Sequence, residues 1–259
     1  MSEYANLSIT ELRKRGQSGA PEAGRDPYVG LTIRFFSVYL TKLALYTSIT
    51  PNQMTFLSVC VFLAGVSTFF FASMGWGLFG CFLIYLSVVL DGCDGELARI
   101  RGNRSGVGGI YTEPLSHDIQ YALMFFPIAI GLVFAGVTPW ILLVAWVATV
   151  MKLLYRFLIV RFDTVLVHSG PAKTVILGGE GDSATVFNPN VSFPHKVYRW
   201  FNRNVFSSVA LVVPLLITVF VGRVDIFLWL FAGWFTLIAF LHFIKQVFYV
   251  SRIGENPRQ

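Results

Sequence analysis

The chain has 259 residues, of which 55% are hydrophobic and only 13% are charged. Soluble domains carry about 25% charged residues, so this composition excludes an ordinary water-soluble domain, and its many apolar side chains exclude a disordered chain. The net charge of +6 fits membrane-protein loops that follow the positive-inside rule. The composition therefore predicts an all-α, polytopic membrane protein.

The chain begins with polar residues that lack the apolar core of a signal peptide, and residues 1–27 are predicted to form a cytoplasmic tail, mobile or partly helical. Residues 28–49 then mix Arg34 and Lys42 with Phe, Tyr and Leu side chains. Such mixing favours an amphipathic helix in the membrane interface over a seventh span. We therefore expect an N-terminal juxtamembrane helix before the first span.

Long apolar runs without charge follow, and about 20 such residues suffice for a helix to cross the hydrocarbon layer. Breaks rich in Gly, Ser, Thr and Pro divide these runs. Six transmembrane helices are predicted, at 52–73, 77–100, 113–135, 138–161, 204–222 and 225–250. The membrane domain thus covers 28–250, with a polar loop over 162–203 and a short tail over 251–259.

The positions of Lys and Arg predict the orientation of these spans. The turns after the first, third and fifth spans contain only Arg223, whereas the opposite side collects most of the basic residues. By the positive-inside rule, both termini and the loop 162–203 are predicted to lie in the cytoplasm. That loop either caps a binding site or is a surface loop, and the second interpretation is favoured.

Acidic residues stand at the predicted cytoplasmic end of the second span, where charge is costly and by default functional. Asp91, Asp94 and Gly95 fall at i, i+3 and i+4 of one helix, and Ala98 completes that face. Carboxylates beside small residues suit Mg²⁺ or Mn²⁺ that bridges a phosphate. The alternative is a solvated helix end whose acids pair with the neighbouring arginines.

The start of the third span supplies further ionisable side chains. Glu113 and His117 are four residues apart and face the same way, with Pro114 placed in the predicted first turn. Asp118 lies roughly 140° around the helix from Glu113, so His117 is the better-placed companion. Because it faces two aspartates across a short turn, His117 is a candidate general base. Asp118 is the second candidate for the role of Glu113 or of His117.

These residues resemble the signature of the CDP-alcohol phosphatidyltransferase family, D-x-x-D-G-x-x-A-R followed after about eight residues by G-x-x-x-D-x-x-x-D. Its first half is matched from Asp91 to Arg99. The segment Ser48–Thr55, SITPNQMT, resembles the I-T-P-N-Q-x-T sequence that opens the first span of many members. The amphipathic stretch resembles the family's juxtamembrane helix, so that the resemblance covers residues 28–250.

The second half of the signature departs from the family. With the family's exact spacing counted from Arg99, the two later acid positions of the signature fall on residues that are not acidic. With one inserted residue, the signature aligns with Gly109, Glu113 and His117. The second alignment is supported because Glu113 and His117 face the same way on a helix. In the family, the first three acids are metal ligands and the fourth is the base. The resemblance therefore implies two Mg²⁺ or Mn²⁺ ions held by Asp91, Asp94 and Glu113, and His117 or Asp118 as the base.

In the family, an acceptor hydroxyl attacks the phosphate next to the alcohol of a CDP-alcohol and displaces CMP. The resemblance implies a CDP-diacylglycerol donor and a polar alcohol acceptor in phospholipid biosynthesis, with a soluble CDP-alcohol donor as the alternative. Arg99 is expected either to clamp phosphate or to pair with a ligand carboxylate, and Asn52 is either a nucleotide contact or a helix cap. The candidate substrate contacts are Asn52, Thr55, Gly92, Gly95, Ala98, Arg99, Lys152 and Arg156.

Lys152 and Arg156 stand one turn apart near the end of the fourth span. They either snorkel to the interface or form a phosphate pocket for a charged acceptor, since inositol-phosphate-using members of the family carry basic residues in this region. A transporter or a non-catalytic scaffold derived from the fold is the alternative function. No nucleic-acid partner is expected. A homodimer is expected by resemblance, and the compact chain fits a bacterial or archaeal cytoplasmic membrane.

Overall fold

The computed structural model describes residues 7–18, 32–102, 107–168, 197–198, 200–202, 205–207 and 209–255. Within these ranges every regular element is helical, which confirms the all-α fold class. The α-helices are α1 (Ile9–Leu12), α2 (Arg34–Leu45), α3 (Pro51–Ser67), α4 (Met74–Ile100), α5 (Val107–Phe134), α6 (Ile141–His168), α7 (Val212–Val221) and α8 (Val224–Glu255). A π-helical turn, Arg13–Gln17, follows α1, and a 3₁₀ turn, Thr68–Phe71, follows α3.

Within the described ranges, five helices are long and apolar enough to cross a membrane, which identifies an integral membrane protein. They are Pro51–Phe71, Met74–Ile100, Tyr111–Phe134, Ile141–Phe162 and Val224–Tyr249. Where the sequence predicts a span over 204–222, the described residues form turns and then the ten-residue helix α7. Ten residues extend about 15 Å, half of the hydrocarbon layer. Pro214 limits the helix, because it cannot donate to the carbonyl of Ala210.

Two helix ends extend beyond the predicted boundaries. Helix α6 continues to His168, so the first residues of the predicted loop 162–203 are helical, and the part at 169–196 lies outside the described residues. Helix α8 likewise continues to Glu255, into the predicted C-terminal tail. We call the end of the bundle at which α3 begins and α4 ends the charged end.

Helix α2 confirms the predicted amphipathic helix. One face is buried against the bundle and carries Ser37, Val38, Thr41, Ala44 and Leu45. The opposite face exposes Phe35, Phe36, Tyr39, Leu43 and Tyr46. Large aromatic and aliphatic side chains on an exposed face are what a helix in the membrane interface presents to lipid.

Residues 8–17, which we call the N-terminal strap, pack against the last turns of α4 instead of extending away from the bundle. Ser8 and Glu11 form a reciprocal capping box that starts α1. Leu12 is 1% exposed and belongs to the same apolar cluster as Leu97 and Ile100 of α4. The described part of the predicted polar tail is therefore a folded element.

Glycines permit close helix crossings that fix the position of α4. A Cβ atom added to Gly80 of α4 would lie 2.7 Å from the carbonyl oxygen of Gly65 in α3. A Cβ atom added to Gly131 of α5 would overlap the carbonyl oxygen of Phe69. Small residues at such crossings let helix backbones approach closely in membrane proteins. Helix α4 is thus held against α3, and α5 against the 3₁₀ turn that follows α3, towards the end of the bundle away from the predicted acidic site.

Candidate active site

Ionisable side chains gather at the charged end, where side chains from the last turns of α4 approach those from the first turns of α5. Asp91 Oδ2 lies 3.7 Å from His117 Nε2, so the two helices are joined by an acid–imidazole pair. The charges of Asp91 and Glu113 both act on the carboxylate of Asp94. The structure therefore pairs Asp91 with His117 across the two helices and places Glu113 within electrostatic reach of Asp94.

Helix α5 begins six residues before Glu113, which is earlier than the span predicted from residue 113. Pro114 consequently lies inside the helix and not in its first turn. A proline in a helix interior removes one backbone donor and favours a kink. The hydrogen bond that is missing here is the one to the carbonyl of Ile110, in the turn that leads into Glu113.

The start of α3 is the third helix segment that lines the site. Thr50 caps the helix through a reciprocal capping box with Gln53, and Pro51 occupies the first helical turn. One turn later, the hydroxyl of Thr55 donates a hydrogen bond of 2.5 Å to Asp94 Oδ2. Thr55 therefore lies in the site, whereas Asn52 is exposed and is not the cap residue.

The site leaves polar atoms unsatisfied. Asp91 Oδ1 and His117 Nδ1 are buried and have no hydrogen-bond partner in the described part of the chain. Three carboxylates form an oxygen-rich donor set, which suits Mg²⁺ or Mn²⁺. Among the described residues, however, no three His, Cys, Asp or Glu side chains already stand in a metal-holding arrangement. The donor set fits a divalent ion chemically, and binding would have to draw these side chains together.

Asp118 points away from the acid cluster and towards α6. Its Oδ1 atom accepts a hydrogen bond of 2.9 Å from Arg156 Nε. This pair is partly buried, with side-chain exposures of 31% for Asp118 and 14% for Arg156. Asp118 is therefore engaged in an ion pair, while His117 faces the acids of α4.

Lys152 lies inside the bundle. Its side chain is 1% exposed, so it does not snorkel to the interface. The ammonium lies 4.1 Å from the centre of the Tyr121 ring and 5.1 Å from that of Phe235. Contacts of this kind stabilise a cation through the aromatic faces. Lys152 thus lies in an aromatic cage one turn below Arg156.

The small residues of the α4 motif have different neighbours. A Cβ atom on Gly92 would lie 3.3 Å from Ile33 and 3.5 Å from Ser37, so Gly92 faces the α2 side and not the acid cluster. A Cβ atom on Gly95 would lie 3.2 Å from Arg99 Nη1. Gly95 therefore leaves room for the guanidinium of Arg99 on the face that Asp91, Asp94 and the half-buried Ala98 share.

A buried carboxylate that the sequence interpretation missed lies on the side of α4 that faces away from Asp91 and Asp94. Glu96 is 1% exposed and accepts hydrogen bonds from Ser37 at 2.5 Å and from Thr41 at 2.6 Å. Gln17 of the strap donates to the same carboxylate at 2.9 Å. The available signal was Ser37 and Thr41, two hydroxyls spaced i, i+4 on an otherwise apolar helix stripe, which indicate a buried polar partner.

A family model described as CDP-alcohol phosphatidyltransferase matches residues 48–181, just over half of the chain. The matched range includes α3, α4, α5 and α6, and with them every acid of the cluster and His117. No curated protein matches the chain.

Proposed function

Because the chain belongs to the CDP-alcohol phosphatidyltransferase family, we propose that it transfers a phosphatidyl group from CDP-diacylglycerol to a polar alcohol and releases CMP. Family membership supports the coarser reaction, the transfer of a phosphoalcohol from a CDP-alcohol to an alcohol acceptor. The observation that carries the proposal is the approach of Asp91 on α4 to His117 on α5 at 3.7 Å.

A lipid donor is favoured over a soluble CDP-alcohol by the position of the site. The acids stand at the ends of membrane-crossing helices, so that a headgroup can reach them while its acyl chains stay in the bilayer. An apolar groove of about 330 Å³ lies between α3 and α5, lined by residues that include Leu63, Val66, Leu123 and Phe126. The same two helices carry Thr55 and His117, so the groove lies below the site.

The residues of the cluster divide the chemistry between them. A divalent ion held by Asp91, Asp94 and Glu113 would neutralise negative charge on the transferring phosphate and on the departing CMP. Thr55 holds Asp94 in place through its hydrogen bond. Arg99, whose guanidinium lies over Gly95, would donate to the phosphate oxygens.

His117 is proposed as the general base. Its Nε2 atom faces Asp91, which stabilises the positive charge that the ring gains when it takes a proton. Its Nδ1 atom has no partner among the described residues and would accept the proton of the acceptor hydroxyl. Asp118 is the weaker choice, because its carboxylate is hydrogen-bonded to Arg156 on α6 and faces away from the acids of α4.

The experiment is an assay of CMP release from CDP-diacylglycerol by the purified protein, with Mg²⁺ or Mn²⁺ and a panel of polar alcohols. We expect release that requires both the metal and one acceptor, and that is lost in Asp91→Asn. Asp225→Asn is the matched control, because Asp225 pairs with Arg223 at the opposite end of the bundle. A wild-type protein that neither releases CMP from any donor nor binds CDP would contradict the proposal and favour a transporter or scaffold.

A further inference from the structure

The N-terminal strap and α2 meet α4 on the side that faces away from Asp91 and Asp94. Glu96 lies at the centre of this contact and is bonded by Ser37 and Thr41 from α2 and by Gln17 from the strap. Arg34 Nη1 stands 3.6 Å from the same carboxylate. Burial of a carboxylate is costly unless its oxygens are paired, so these four partners make the contact specific.

The strap reaches the site through Arg99. The carbonyl oxygen of Gly16 accepts a hydrogen bond from Arg99 Nε. The Nη atoms of the same guanidinium lie over Gly95, because a Cβ atom there would approach Nη1 to 3.2 Å and Nη2 to 3.4 Å. The Nε atom of the guanidinium group is thus held by the strap, while its two Nη atoms lie on the face of α4 that carries Asp91, Asp94 and Gly95.

Gly16 fits closely against α4 at the same place. A Cβ atom added to it would lie 3.2 Å from Ile100 and 3.4 Å from Glu96. The carbonyl that receives Arg99 is therefore presented by a backbone in direct contact with the helix, and the adjacent Gln17 is fixed by Glu96. Removal of the hydrogen bond to Glu96 would release Gln17 and, with it, the carbonyl of Gly16.

We propose that Glu96 is a positioning residue, which holds the strap on α4 so that Gly16 orients the guanidinium of Arg99 towards the diphosphate of the CDP-alcohol donor. This inference rests on the proposed function, since it assigns the phosphate contact to Arg99. Glu96 itself touches no reacting atom. Its effect on the reaction passes through the strap and Arg99.

The first test measures how often the strap opens, and it needs no substrate. Lys14 and Arg15 are exposed within the strap, and trypsin cleaves there only when the segment opens. We expect Glu96→Gln to be cut after these residues at least about tenfold faster, because a lost hydrogen bond to a charged group is worth roughly 1.5–3 kcal/mol. Ser87→Ala is the matched control, since the buried Ser87 donates its hydrogen bond to the carbonyl of Ile84 in its own helix. Equal cleavage of Glu96→Gln and wild type would overturn the proposal.

The second test measures donor binding and separates positioning from general stability. Glu96→Gln should raise the Kd for CDP and the KM for the donor about tenfold. The KM for the acceptor and the Tm should change little. Glu96→Asp, which keeps the charge, should recover part of this loss. In an Arg99→Gln background, Glu96→Gln should add nothing further, because both changes then act on the same contact.

The outcomes distinguish the two proposals. If the wild type binds CDP and Glu96→Gln binds it equally well, the inference is wrong while the transferase survives. If the two losses are additive in the Arg99→Gln background, Glu96 does not act through Arg99. If the wild type binds no CDP, the proposed function fails together with the role of Arg99, and the trypsin result alone still decides whether Glu96 holds the strap.

Discussion

The hydroxyl of Thr55 on α3 donates a 2.5 Å hydrogen bond to Asp94 on α4, so a residue outside the acid motif fixes one of its carboxylates. We expect Thr55→Val, which keeps the shape and removes the hydroxyl, to lower metal-dependent CMP release about 10- to 100-fold. Titration of activity against Mg²⁺ concentration measures the effect. Thr218→Val is the control, because the buried Thr218 donates its hydrogen bond to the carbonyl of Leu215 in its own helix. Equal losses in the two variants would count against the role of Thr55.

The two candidate bases respond differently to substitution. We expect His117→Ala to reduce the rate of CMP release by about 10²- to 10⁴-fold, the usual contribution of a positioned base. Asp118→Asn should cost only about tenfold, because it breaks the ion pair with Arg156 and leaves His117 in place. Single-turnover kinetics of both variants distinguish these results, and a larger loss in Asp118→Asn would move the base to that residue.

The crossing of α5 over the 3₁₀ turn tests the packing of the bundle. Gly131→Ala should destabilise the protein by about 1–3 kcal/mol or more, because its methyl group would overlap the backbone oxygen of Phe69. Gly233→Ala is the control, since a Cβ atom there meets nothing within 4 Å and alanine is the better helix former. Thermal unfolding in detergent should show a lowered Tm for Gly131→Ala alone.

The positive-inside orientation also predicts a labelling pattern. Cysteine at Thr138, an exposed residue between α5 and α6, should react with a membrane-impermeant maleimide applied to intact cells. Cysteine at Ser48, exposed at the charged end, should react only after the membrane is opened. Both variants would carry Cys60→Ala, because Cys60 is the exposed cysteine. The reverse pattern would place the acid cluster on the outer side.

Most of the helices could be predicted because each is an apolar run that only a membrane or a core can bury. The cluster of Asp91 and His117 was equally accessible, since helical spacing and a short turn place both at one end of the bundle. The short length of helix α7 was not predicted, because the apolar run that contains it is hydropathic enough for a full span and Pro214 shortens the helix. Local backbone chemistry limited the helix there.

Residues whose environment depends on distant partners could not be placed from the sequence. The sequence left Lys152 either snorkelling to the interface or in a phosphate pocket, and its burial beside Tyr121 and Phe235 from two other helices contradicts the first. Glu96 was overlooked because its partners belong to segments that precede it by more than fifty residues. A polar residue near a membrane surface gives no sign of which neutral donors will pair with it.

The bond between Gln17 and Glu96 spans 79 positions of the chain, and this separation constrains the order of assembly. Chains emerge from the ribosome with the N-terminus first, so the strap is complete long before its docking surface exists. Helix α4 must be synthesised and paired with α3 before the carboxylate can receive its donors. The strap therefore closes late, and an α3–α4 hairpin that is slow to insert would leave it exposed to proteases in the growing chain.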